Sequence, residues 1–77
     1  MTLSPAQCRA ARALLNWTQE DLVEHCKITK KTVADFERGA TQPRTQTLTQ
    51  IRATFEAAGI ELLNAQRPGV RLREKAR

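Results

Sequence analysis

An all-α fold, a compact bundle of four helices, is what this sequence predicts, and three observations lead there. Alanine, leucine, glutamine and arginine abound while aromatics make up 4% and tyrosine is absent, a balance that favours helix over sheet. Apolar residues recur at spacings of three and four along most of the chain. Serine or threonine stands just ahead of several of those runs, where a helix needs a cap. At 77 residues the chain is expected to form one small domain with a modest core. The expected division is a domain over 1–63 and a basic tail or second hairpin strand over 64–77.

The first helix should start at Ser4-Pro5-Ala6-Gln7. Serine is its cap, proline sits where a missing amide is harmless, and Gln7 completes a capping box. It should run to about Leu15, with Cys8, Ala11 and Leu15 as the core stripe. The second helix, Gln19 to about Cys26, has Thr18 as its cap and Glu20 and Asp21 at its positive dipole end. Trp17 and Leu22 fit a hydrophobic staple across that cap. Leu22, Val23 and Cys26 should be buried, leaving Glu20, Asp21 and Glu24 as an acidic outer face.

Ile28, Thr29 and Val33 repeat the staple, so a third helix should span Lys30 to Arg38 before Gly39 ends it. Val33 and Phe36 turn inward; Lys30, Lys31, Thr32, Ala34 and Asp35 lie on the other side. Only Lys27 and Ile28 separate Cys26 from the Thr29 cap. A connection that short forces the two helices to cross steeply, which is the helix-turn-helix arrangement. Ala40 to Thr45 reads as a loop around Pro43. A fourth helix then begins after Thr45 and runs to about Ala58, closing the core with Leu48, Ile51 and Phe55 before Gly59 stops it.

Beyond Gly59 two readings stay open. Ile60 to Leu63 and Gly69 to Arg73 can form a short hairpin turning through Asn64 to Pro68, or residues 66–77 can be disordered; a lone hairpin needs helices or a mate to pack on. Net charge is +5, and residues 1–63 hold 8 basic and 7 acidic side chains against 5 and 1 in 64–77. The basic balance suits a polyanionic partner.

Other classes find little support. The two cysteines, Cys8 and Cys26, are expected to be small buried thiols rather than a disulfide framework. Joined by His25 they would give only three metal ligands, two of them adjacent and so on different helix faces. With His25 the one histidine, no catalytic set, phosphate-binding loop or cofactor motif is evident, so neither enzyme activity nor a small-molecule ligand is expected. No apolar run reaches membrane-span length and the N-terminus lacks the regions of a signal peptide, which points to the cytosol and away from a membrane.

Through TQ..L (Thr18, Gln19, Leu22), the Ile28-Thr29 turn, Val33 and FERG (Phe36 to Gly39), the chain resembles the lambda repressor and Cro family, the XRE-type regulators. The resemblance covers Cys8 to about Ala58. It departs at Lys27, where the family usually has glycine, and at Val23, where it usually has alanine. A left-handed Lys27 would cost roughly 1 kcal/mol.

The resemblance implies that Arg12 pairs with Glu37, tying the first helix to the end of the third. It also implies that Gln19 holds a phosphate at a helix N-terminus. Lys30, Lys31 and Asp35 fall at base-reading positions, lysine suiting guanine and aspartate the amino group of cytosine. Thr29 and Thr32 suit phosphate or thymine-methyl contacts. Arg38 joins this DNA-binding set, as does Arg44, placed for the backbone or a narrow minor groove.

The expected function is a sequence-specific regulator of transcription that binds double-stranded DNA as a homodimer on an inverted repeat. A repressor or dual regulator fits equally. The alternative from another class is a protein-interaction module, such as an antitoxin or anti-activator, which would more often show exposed aromatics or an apolar patch; Trp17, Phe36 and Phe55 are instead all assigned to the core. Ile60, Leu62 and Leu63, with Val70 and Leu72 if the hairpin forms, are the expected dimer interface. The competing possibility is that they cover their own first and fourth helices.

Overall fold

A computed structural model describes residues 3–63 and 69–72. Its elements are α1 (Pro5–Leu15), α2 (Gln19–Cys26), α3 (Lys30–Glu37), α4 (Thr45–Ala57), β1 (Ile60–Leu63) and β2 (Gly69–Leu72). Of the three expected caps, Ser4 and Thr18 form full boxes and Thr29 a single capping bond. The Ser4 hydroxyl accepts from the Gln7 amide while the Gln7 side chain accepts from the Ser4 amide, and Thr18 and Asp21 repeat the exchange at α2. Each box satisfies two amides that a helix N-terminus would otherwise leave unpaired. At α4 the cap residue is Arg44, whose side chain makes no capping bond.

Helix ends are set by left-handed residues. Lys27 has φ 65° and ψ 36°, so the non-glycine residue does take the conformation for which a side chain is strained. Gly39 (φ 75°) and Gly59 (φ 100°) end α3 and α4 without that strain. The third helix ends at Glu37 with Arg38 as its C-cap, one residue short of the expected boundary.

Cys8 and Ala11 of α1, Leu22 and Cys26 of α2, Val33 and Phe36 of α3, and Leu48, Ile51 and Phe55 of α4 form one buried core, joined by Leu3 and Ile60. Both cysteines are free and buried. Leu15, Val23 and Trp17 contribute only partly buried surface, so Trp17 is less enclosed than the sequence implies. Its outer face is covered by His25, stacked at 4.3 Å between ring centroids.

The hairpin forms over the described residues. β1 and β2 pair antiparallel with Ile60 opposite Leu72 and Leu62 opposite Val70, which puts those four side chains on one face of the ribbon. That face lies on the helices except at Leu72. Ile60 is fully buried, and Leu62 and Val70 pack on the core from its edge. Buried Gln7 fastens the ribbon by donating through Nε2 to the carbonyls of Leu63 and Gly69, both at 2.9 Å. A single side chain thus caps α1 and holds the hairpin to it. The expected turn at Asn64 to Pro68 and the tail beyond Leu72 lie outside the described residues.

As an expected dimer contact, Ile60 is therefore corrected: its side chain is already spent on its own core. Leu62 keeps part of its surface, and Leu63 and Leu72 are 39% and 47% exposed.

Candidate nucleic-acid interface

Helix α3 is anchored from behind by a buried cluster centred on Glu37. Arg12 donates Nε to Glu37 Oε2 at 2.7 Å and Nη2 to Oε1 at 2.8 Å, the two-pronged geometry that a guanidinium and a carboxylate share. Its third nitrogen, Nη1, donates to the Trp17 carbonyl at 3.0 Å. Gln19 adds Nε2 to Oε1 at 3.1 Å, and the Cys8 thiol donates to Oε2 at 3.0 Å. Arg9 donates to the Glu37 backbone carbonyl as well.

With its side chain 3% exposed, Glu37 would be costly as a lone charge. Burial pushes its carboxyl up, but Arg12, Cys8 and Gln19 outweigh that and hold it below the usual glutamate range. The Cys8 thiol is driven strongly upward, first by burial and then by its bond to Glu37, so it stays protonated and serves as a donor. No buried side-chain nitrogen or oxygen among the described residues lacks a partner. The pairing of Arg12 with Glu37 was expected from the family resemblance alone; the contributions of Cys8 and Gln19 were not expected.

On the opposite side of α3 the charges face water. Lys30, its first residue, donates to Glu20 of α2 at 2.5 Å, with both side chains more than half exposed. Lys31 is 85% exposed and donates to Asp35 one turn on at 3.0 Å. Asp35 also accepts from Arg38. Bonds from Lys31 and then Arg38 hold its carboxyl below the usual aspartate range. At 14% side-chain exposure and shared by two cations, Asp35 is far less presented than a free reading residue on that face.

Thr29 caps α3, its hydroxyl accepting from the Thr32 amide at 3.2 Å and sharing a hydrogen with the Thr32 hydroxyl at 2.8 Å. These two threonines thus hold the helix start in place. Arg44 is exposed at the head of α4. It lines one groove of about 490 Å³ together with Lys31, Thr32 and Asp35 of α3 and with Thr41, Gln42, Pro43 and Thr47. Gln42 and Thr47 were not singled out from sequence: Gln42 lies in a loop, which carries no periodicity by which to place it, and Thr47 stands in the first turn of α4 outside its apolar stripe.

The structure therefore brings Lys31, Thr32, Asp35 and Arg44 to one groove, with Lys30 at the head of the same helix and Arg38 at its end. Gln19 sits apart, at the start of α2, with its amide on Glu37. No group of three or more possible metal ligands exists among the described residues, and no helix among them is long and apolar enough to cross a membrane.

A helix-turn-helix family model matches residues 9–58. No curated protein matches the chain. The matched span runs from within α1 to the end of α4, taking in the α2–α3 pair, the exposed face of α3 and the loop before α4. The chain thus belongs to the XRE-type, lambda repressor and Cro-like family of helix-turn-helix DNA-binding regulators.

Proposed function

We propose that this protein is a sequence-specific transcriptional regulator, acting in the cytoplasm as a homodimer on an inverted-repeat operator and repressing or activating by position. One observation carries the reading: α3 is locked from behind by the Glu37 cluster while its front presents Lys30 and Lys31 to solvent beside the Arg44 loop. A helix fixed from behind with exposed cationic tips suits entry into the major groove.

In this reading Lys30 and Lys31 donate to guanine edges. Gln19, Thr29, Thr32, Arg38 and Arg44 hold the backbone, Gln19 through the amide hydrogen that Glu37 leaves over. Asp35 can accept from cytosine only by loosening its hold on Lys31 and Arg38. A mobility-shift assay with DNA from just upstream of the protein's own gene tests the reading. A shift that specific competitor removes and random competitor does not is expected; equal competition by both would refute it.

One recognition helix covers few base pairs, so discrimination at the level a regulator needs calls for a second copy about one helical turn, roughly 34 Å, away. The dimer contact we propose is the hairpin, through Leu62 and Leu63 and an unpaired strand edge. Leu62→Arg should lower the dimer fraction seen by analytical ultracentrifugation with and without operator. A folded variant that dimerises like the parent places the contact elsewhere.

A further inference from the structure

We propose that Glu20, an acidic residue outside the DNA-contacting set, is a positioning residue that competes with DNA for the Lys30 ammonium and so sets the affinity of the recognition helix. The inference rests on the DNA-binding reading above. Its ground is the contact between elements. Glu20 lies in the first turn of α2 and Lys30 at the first residue of α3, ten positions apart in sequence, yet their charged ends meet at 2.5 Å. Lys31 has a different arrangement, held by Asp35 within its own helix.

Lysine is a point charge on a flexible stem, able to exchange one carboxylate for another acceptor. With both side chains more than half exposed, neither is walled in, and the contact can open without disturbing the core. Before Lys30 can commit its charge to a guanine or a phosphate it must leave Glu20. The bond costs the complex whatever it contributes to the free protein. For an exposed pair that amounts to about two- to five-fold in affinity. A carboxylate remaining near the duplex adds a second, non-directional penalty that any acidic residue on this face would share.

Those two penalties separate in a double-mutant cycle. The probe is a duplex selected from a random pool by the parent protein, with fluorescence anisotropy at fixed ionic strength as the measurement. Glu20→Gln should tighten binding about two- to five-fold more than Glu24→Gln, which removes an acid one turn further along the same outer face. In a Lys30→Ala background that extra gain should vanish, leaving Glu20→Gln and Glu24→Gln alike. Glu20→Asp keeps the charge on a shorter stem and should recover part of the parent's weaker binding.

Without DNA, the Glu20 carboxyl followed by NMR should titrate higher once Lys30 becomes alanine. An equal gain with and without Lys30, or a carboxyl that does not move, overturns the role of Glu20 while leaving DNA binding intact. A parent that selects no sequence from the pool overturns both.

Discussion

Two sets of ion pairs flank α3, and they differ in what surrounds them. Behind the helix, Arg12 and Glu37 meet in two bonds, with Cys8 and Gln19 filling the remaining acceptor capacity. In front, Glu20 meets Lys30 and Asp35 meets Lys31 and Arg38, mostly in water. The chemistry is the same, a carboxylate on a cation, but removing one partner has opposite consequences. A buried carboxylate left alone keeps its desolvation cost, whereas an exposed one is rehydrated. The back pair therefore fixes where α3 sits, and the front pairs can open to another acceptor, as the proposed contact with DNA requires.

The largest expected effect follows from breaking the back pair. Arg12→Met should lower unfolding free energy by about 3 kcal/mol, since it strands a buried charge. Arg12→Met with Glu37→Met should recover most of that loss, because two well-packed apolar side chains need no partner. Chemical denaturation of the single and double variants checks both. A double variant as unstable as the single one would show that the cluster's value lies in its fit to Gln19 and Cys8 rather than in the charge.

Breaking the front set should leave stability nearly unchanged and act on recognition. Lys30→Ala or Lys31→Ala is expected to lose about 1–3 kcal/mol of discrimination between operators, while Gln19→Ala and Arg44→Ala weaken all sequences alike. Binding to selected and random duplexes separates the two outcomes. Equal losses on both for all four variants would remove the division between reading and holding residues. Gln19 also tests the boundary itself, since it bonds to Glu37 and its replacement should cost some stability where that of Arg44 should not.

How much of this was legible in the sequence depended on distance along the chain. Caps and turns are local: Ser4 with Gln7, Thr18, Thr29 and Gly39 could be placed because each acts within four residues of itself. The core stripe could be read from periodicity. The Arg12 and Glu37 pair, 25 positions apart, came only through family resemblance. Cys8 could be called buried but not a donor to Glu37, and Gln7 could be called a cap but not the latch of the hairpin. Both second roles depend on what another element brings alongside. The charged outer face of α3 could be placed from periodicity, but periodicity shows which side chains share a face and not which of them neutralise each other. For that reason Asp35 was read as a base contact without its two cations, and Glu20 as part of an acidic outer face without its bond to Lys30.

The turn between α2 and α3 joins the helix that carries Gln19 and Glu20 to the one that carries Lys30 and Glu37. Lys27 there holds φ 65° and ψ 36°, a conformation that costs a lysine roughly 1 kcal/mol more than a glycine. Lys27→Gly should raise thermal stability by about that amount, and the recognition face should keep its operator preference if the Glu37 cluster alone positions α3. A shift in preference would show that the strained turn contributes to the crossing angle.

The smallest expected effect is on the acid side of the stability curve, and its sign separates nothing while its salt dependence separates the two sets. Glu37, Glu20 and Asp35 are all held below their usual ranges. In each case the unfolded chain takes up a proton before the folded one does as pH falls. Their stabilisation is therefore complete above the ordinary carboxylate range, about 4.5 for glutamate, and is lost as pH drops through the depressed folded values. The exposed contribution of Glu20 is screened by salt, that of partly buried Asp35 less, and that of buried Glu37 least. Denaturation between pH 5 and about pH 2 in low and high salt should show a shallower acid limb at high salt that still retains a slope. In the Arg12→Met, Glu37→Met double variant the retained slope should largely disappear. An acid limb that salt flattens completely in the parent would mean that Glu37 is reached by solvent, and that the back pair behaves like the front ones.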